Sequence, residues 1–249
     1  MSNIVFIRHA ESYANILKKN NKKNYLDRYY INFDTLEYEK KQDINNRLFD
    51  TFLTKDGIIN CLYKKKKIIS DVYILISPLI RVLLTTFFLF YDYFTNEESY
   101  KINIIIVNDF KEKYYYPYDL LENYEFSFDD QINDIKRNII NNIDFIKKIN
   151  LDIIDINNKF NIFIDKLNKK ETIKNNYFDN DNYKIMFNNI KDNIRICDIV
   201  KKQYYLDRLN EIISKYNIYN KNIYVIAHWG TINSIFNCNN INNLDEFIL

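Results

Sequence analysis

Four short apolar runs rich in isoleucine and valine, at 3–7, Val72–Ile76, Ile102–Val107 and Asn222–Ala227, divide this chain, and the stretches between them carry apolar residues at helical spacing. Each run reads as a buried strand, and strands that alternate with helices build the βαβ units of a largely parallel sheet. The segment 54–69 opens with Thr54 as an N-cap and continues through Gly57, Cys61 and Leu62, while 79–94 is apolar nearly all round, as suits a helix packed under the sheet. In 130–149, Ile132, Ile135, Ile139, Ile143 and Ile146 recur at spacings of three and four and form one apolar face. A second long helical stretch, 183–216, offers Ile185, Ile190, Ile194, Leu206 and Ile213 to the core. Residues 151–167 fit helix or strand, and 168–182 reads as a polar linker. These patterns predict an α/β fold in a single domain over 1–249, with low-complexity loop insertions near 16–50 and 150–182.

Composition narrows the classes. A hydrophobic content of 47% in 249 residues allows a sizeable core, and 16% aromatic residues exclude a wholly disordered chain. The formal net charge of +2 points to no nucleic-acid partner, and the lysines of 64–67 read as a solvated face. Cys61, Cys197 and Cys238 are too few and too far apart for a disulfide framework or a paired zinc site. Residues 73–94 have the length of a membrane span, but Pro78, Arg81 and Asp92 interrupt them, and a central arginine costs about 2.5–3.5 kcal/mol on insertion. The apolar run before Arg8 is too short for a secretory signal. The expectation is a cytoplasmic protein without membrane or nucleic-acid contacts, of open oligomeric state.

The chain holds two histidines, His9 and His228, and each follows a strand directly. Ligands of open α/β sheets bind at the carboxyl ends of strands, so the two imidazoles can share one crevice. A histidine attacks phosphorus only when neutral, and the neighbouring Arg8 disfavours the imidazolium while offering a guanidinium to phosphate oxygens. A helix starting near Glu11 and Ser12 would point free N–H groups at the same anion, with Asn15 one turn on as an amide donor. Arg81 follows Ser77-Pro78-Leu79-Ile80 and opens an otherwise apolar helix, where a cation is misplaced unless an anion sits beside it. Its planar fork suits two phosphoryl oxygens. After Ile102–Val107 come Asp109 and Glu112. A leaving oxygen needs a proton donor, for which Glu112 is the choice and Asp109 the alternative. His228 can donate to a phosphoryl oxygen, and Gly230 permits close backbone approach.

Together these segments resemble the histidine phosphatase superfamily, the phosphoglycerate mutase-like family. Arg8-His9-Ala10-Glu11-Ser12 with Asn15 is similar to its Arg-His-Gly-Glu-Ser signature and downstream Asn. Leu53-Thr54-Lys55-Asp56-Gly57 resembles its Leu-Thr-x-x-Gly helix start, Ser77-Pro78-Leu79-Ile80-Arg81 its Ser-x-Leu-x-Arg segment, and His228-Trp229-Gly230 its closing His-x-Gly. The resemblance implies a three-layer α/β/α sandwich with a mainly parallel central sheet. It also implies a transiently phosphorylated His9, with Arg8, Asn15, Arg81, His228 and Gly230 at the phosphoryl group. Glu112 would donate and then accept the proton, and neither metal nor cofactor is implied. Glu112 followed by Asp119 looks closest to a phosphatase-like branch.

Two departures stand out: Ala10 replaces the usual Gly, and Tyr114, Tyr115 and Tyr116 fill a place where many members have a Gly. The long signature of glycolytic mutases after the first motif is missing. The expected activity is therefore hydrolysis of a small phosphomonoester, the partner being a small phosphorylated metabolite. The alternatives are a phosphoglycerate mutase using the same pocket and a catalytically idle phospho-ligand-binding or scaffold protein.

Overall fold

A computed structural model describes residues 3–20, 50–96, 101–111, 127–149, 151–167, 170–171 and 202–249. Strand β1 (Asn3–Arg8) leads through helices α1 (Tyr13–Asn20) and α2 (Lys55–Tyr63) to β2 (Val72–Ile76). Helix α3 (Ile80–Leu89) precedes β3 (Ile102–Val107). Three helices come next: α4 (Phe128–Asn141), α5 (Ile143–Lys148) and α6 (Ile153–Lys166). The two-residue β4 (Lys170–Glu171), α7 (Lys202–Lys215), β5 (Asn222–Ala227), α8 (Trp229–Phe236) and β6 (Glu246–Ile248) complete the described order.

The sheet runs β4-β3-β2-β5-β1-β6, parallel throughout except for the antiparallel edge strand β6. Successive side chains of a strand point to opposite faces, and here both faces are apolar. Ile74, Ile76, Ile104, Ile106 and Ile226 join a core with α2 to α6; Leu75, Ile105, Ile223, Val225 and Ala227 join a second core with α7 and α8. This two-sided burial is why the strands read as continuous apolar runs rather than as alternation.

The four sequence-predicted strands agree with the structure to within one residue, Arg8 being added to the first. The helices need correction. Thr54 caps α2 as expected, its hydroxyl accepting from Gly57 N, but α2 stops at Tyr63 rather than continuing to 69. The backbone N–H of Lys66 bonds instead to Leu89 O (2.8 Å), drawing the chain towards β2. The apolar span 79–94 divides into α3 and a 3-10 turn, Tyr91–Tyr93. That turn tightens the helix end and lets Phe94 stack on Phe87 at 5.8 Å. The helix predicted over 130–149 breaks at Asn142, whose side chain donates to Asn138 O (2.8 Å) in competition with the helical ladder.

Residues 150–182 are not simply a loop insertion. Asp152 accepts from the N–H groups of Ile154 and Asp155, starting α6, which buries Ile156, Phe160 and Phe163. In the segment read as a linker, β4 adds a short parallel edge to β3. Residues 16–20, at the start of the first tract, are helical; the tyrosines 114–116, Ile185, Ile190, Ile194, Cys197 and Asp119 lie outside the described residues, whereas Ile213 is buried and Leu206 half-buried in the second core. Among the described residues no helix is long and apolar enough to cross a membrane.

Phe87 is the hub of the first core. Its ring meets those of Phe88, Tyr91, Phe94, Phe160 and Phe163 at centroid distances of 5.0–5.8 Å, joining α3 to α6. Phe87→Ala is expected to destabilise the fold by about 3–5 kcal/mol. Tyr63→Ala, at a position 86% exposed, should change stability by no more than about 0.5 kcal/mol. Urea denaturation of both variants checks the contrast, and comparable losses would contradict this core assignment.

Candidate functional site

Strand register brings the two histidines together. The first and last parallel strands are neighbours, with Arg8 opposite Ala227, so His9 and His228 leave the sheet side by side. His9 N donates to Ala227 O (3.0 Å). The rings stand edge to face, 5.0 Å between centroids and 63° between planes. Both side chains are buried. On the other side of β5 runs β2, where Ile76 pairs with Ile226 and Ser77 N donates to Ile226 O (3.3 Å). Three consecutive strand ends therefore deliver His9, His228 and Ser77 in one row. After β1 the chain enters the first core through Ala10, while after β5 it enters the second through Ile232. Departure to opposite faces opens a crevice of the kind in which α/β sheets bind ligands.

The His9 imidazole is oriented by its own loop. Nδ1 lies 2.7 Å from Ala10 O. A carbonyl oxygen only accepts, so Nδ1 carries the hydrogen and the lone pair of the neutral ring sits on Nε2. Ala10 N donates to the Thr85 hydroxyl (3.0 Å), which in turn donates to Arg81 O (2.7 Å). The Ala10 methyl is buried within the first core, so the loop accommodates it. Asn15 accepts at Oδ1 from Ser12 N (3.0 Å) and Ser12 Oγ (3.1 Å), closing the first turn before α1. Asn243 donates to His9 O (2.7 Å) and reaches Asn15 Oδ1 (3.4 Å). Arg8 donates through Nη1 to Ile241 O (2.5 Å), and its backbone exchanges bonds with Leu244 and Asp245. The C-terminal segment thus buttresses the first motif.

Thr54 N donates to Glu11 O (3.0 Å), and Gly57 lies against the same carbonyl: a Cβ there would stand 2.3 Å from Glu11 O. Gly57 and Gly230 are the two glycines of the chain. No glycine among the described residues has positive φ, so at Gly57 the requirement is space rather than backbone conformation. Gly230 is buried in the first turn of α8, two residues after His228.

Arg81 is buried in the first turn of α3. The anion expected at this helix start has a source within the chain. The buried carboxylate of Asp50 accepts from Ile80 N (2.6 Å) and from Gln131 Nε2 (2.5 Å), and Gln131 also donates to Pro78 O (2.9 Å). Asp50 adopts a φ of 43°, in the left-handed region that Asp tolerates better than most residues. Neither Asp50 nor Gln131 was evident as a site residue, because their partners lie 30 or more positions away. Position along the chain carries no signal for such contacts.

Of the two candidate acids, Glu112 lies outside the described residues. Asp109 is buried and occupied: its carboxylate accepts from Tyr204 Oη and from Arg208 Nε (3.2 Å), both on α7. Asp109 therefore anchors α7 to the end of β3. Lys111 is also buried, and its carbonyl lies 3.3 Å from Thr231 Oγ1, three residues beyond His228. The main chain just before Glu112 is thus fastened to the start of α8.

The structure gathers His9, His228 and Ser77 directly, and ties Arg81 to the His9 loop through Thr85. Such a row can present a neutral imidazole nucleophile, a second imidazole as hydrogen-bond partner and guanidinium charge to an anionic ligand. No family model matches this chain, and no curated protein matches it.

Two substitutions test the scaffold. Gly57→Ala drives a methyl into Glu11 O and should destabilise by about 1–3 kcal/mol; an unchanged thermal midpoint would show that the loop yields without cost. Asp109→Ala leaves Arg208, whose side chain is 10% exposed, without its buried carboxylate, and is expected to cost about 3–5 kcal/mol. Chemical denaturation of that variant reads the loss, and full stability would remove Asp109 from the anchoring role.

Proposed function

We propose that this protein is a phosphatase that hydrolyses a small phosphomonoester through a phosphohistidine on His9. The proposal includes the three-layer α/β/α arrangement of the phosphoglycerate mutase-like fold. The observation that carries it is the His9–His228 pair at 5.0 Å with His9 Nδ1 committed to Ala10 O, which leaves Nε2 as the nucleophile. Arg8, Arg81 and His228, with the Asn15 amide and the Gly230 backbone, bind the phosphoryl oxygens.

In the first half-reaction, His9 Nε2 attacks phosphorus, the ester P–O bond breaks, and the leaving oxygen takes a proton from Glu112. In the second, water gives a proton to Glu112 and attacks phosphorus. The P–N bond then breaks, releasing phosphate and neutral His9. The engagement of Asp109 by Arg208 argues against Asp109 in this role. The substrate is a phosphorylated metabolite of the cytoplasm. Free thiols at Cys61 and Cys238 suit a reducing compartment, and burial pushes the Cys61 thiol pKa up, which keeps it protonated.

Incubation with phosphate-labelled substrate, then denaturation in alkali, should retain label on the protein, and brief acid should release it. His9→Ala is expected to abolish the label and lower turnover of an aryl phosphate by about 10³-fold or more. A His9→Ala protein with undiminished phosphatase activity would exclude this mechanism. Saturable phosphate binding without turnover by the unmodified protein would favour a binding role instead.

A further inference from the structure

We propose that Ser77 is the positioning residue that fixes the tautomer of His228, so that His228 presents its Nδ1–H to the phosphoryl group. The inference rests on the phosphatase reading for its consequence, although the tautomer itself belongs to the free protein. Ser77 Oγ lies 2.9 Å from His228 Nε2, and both side chains are fully buried. With one ring nitrogen engaged by serine, the other is the one a ligand meets. When the hydroxyl donates to Nε2, the single hydrogen of the neutral ring must reside on Nδ1. His228 can then donate to an anionic oxygen without first acquiring a proton.

The position of Ser77 is unusually well determined for such a task. Its backbone N–H bonds to Ile226 O, two residues before His228, so strand register sets serine and imidazole side by side. Pro78 follows, and Gln131 bonds to Pro78 O while the Asp50 carboxylate holds Ile80 N. Serine is thus fixed on both sides, by the sheet before it and by a buried clamp after it. The same clamp fixes the start of α3, which carries Arg81, so the hydroxyl that orients His228 and the guanidinium share one rigid segment.

His9 and His228 being the only histidines, a long-range 1H–15N spectrum of the uniformly labelled protein contains two imidazoles. In spectra of the neutral rings, each is expected in the Nδ1–H form. Ser77→Ala should move His228 towards the Nε2–H form, leave the His9 pattern in place, and lower kcat by about 10- to 100-fold. Ser77→Thr, which retains the hydroxyl, should restore the His228 pattern and most of kcat. An Nε2–H tautomer in the unmodified protein overturns the proposal, and this needs no variant to fold. A His228 signal and a kcat both unchanged in Ser77→Ala overturn it as well. A Ser77-dependent Nδ1–H tautomer in a protein without phosphatase activity upholds the positioning of His228 and sinks only the phosphatase reading.

Discussion

The pairing of β1 with β5 is the constraint on which the rest of this site depends. Residues 3 and 222 begin strands that are more than two hundred positions apart, yet they run parallel in register to Arg8 and Ala227. Side chains that leave neighbouring parallel strands at the same level are held a few ångströms apart by hydrogen bonds of the sheet itself. The His9–His228 spacing is therefore not a property of a loop. Because β5 also pairs with β2, its carboxyl end is flanked on both sides, and every group of the row inherits its position from the ladder.

Around that row the chain spends polar bonds on holding loops rather than on solvating them. Thr85 links Ala10 to the Arg81 carbonyl, so the His9 loop is tied to the helix that bears the guanidinium. The Asp50 carboxylate does the same for α3 and α4 through Ile80 and Gln131. Buried polar groups of this kind are costly unless satisfied, and their satisfaction makes the arrangement specific. Asp50 also changes the electrostatic argument about Arg81. The carboxylate accepts from Ile80 N at the positive end of α3, one residue before the buried Arg81.

Legibility in the sequence follows from the range of the interactions. The strands were readable because burial on both faces requires uninterrupted Ile and Val, a local signal. Edge strands β4 and β6 have two and three residues and carry no such pattern. The helix start capped by Thr54 was readable within three residues, whereas 151–167, capped by Asp152, fitted helix or strand, and the ends of α2 and α3 are decided by partners elsewhere in the fold. In the site, His9 and His228 announced themselves by following strands. The structural work of Asp109 was hidden because Arg208 lies 99 positions away, and Asn243, Gln131 and Thr85 were hidden for the same reason.

What distinguishes two imidazoles that share one crevice is the chemistry of their immediate partners. Ala10 O can only accept, so it fixes a hydrogen on His9 Nδ1, and under the proposed mechanism the remaining nitrogen is the nucleophile. In the proposed arrangement the Ser77 hydroxyl donates to the Nε2 lone pair of His228, so the ring hydrogen stays on Nδ1. The fold supplies a carbonyl to one ring and a hydroxyl to the other, and that difference alone suffices to give two identical side chains, 5.0 Å apart, unlike chemistry.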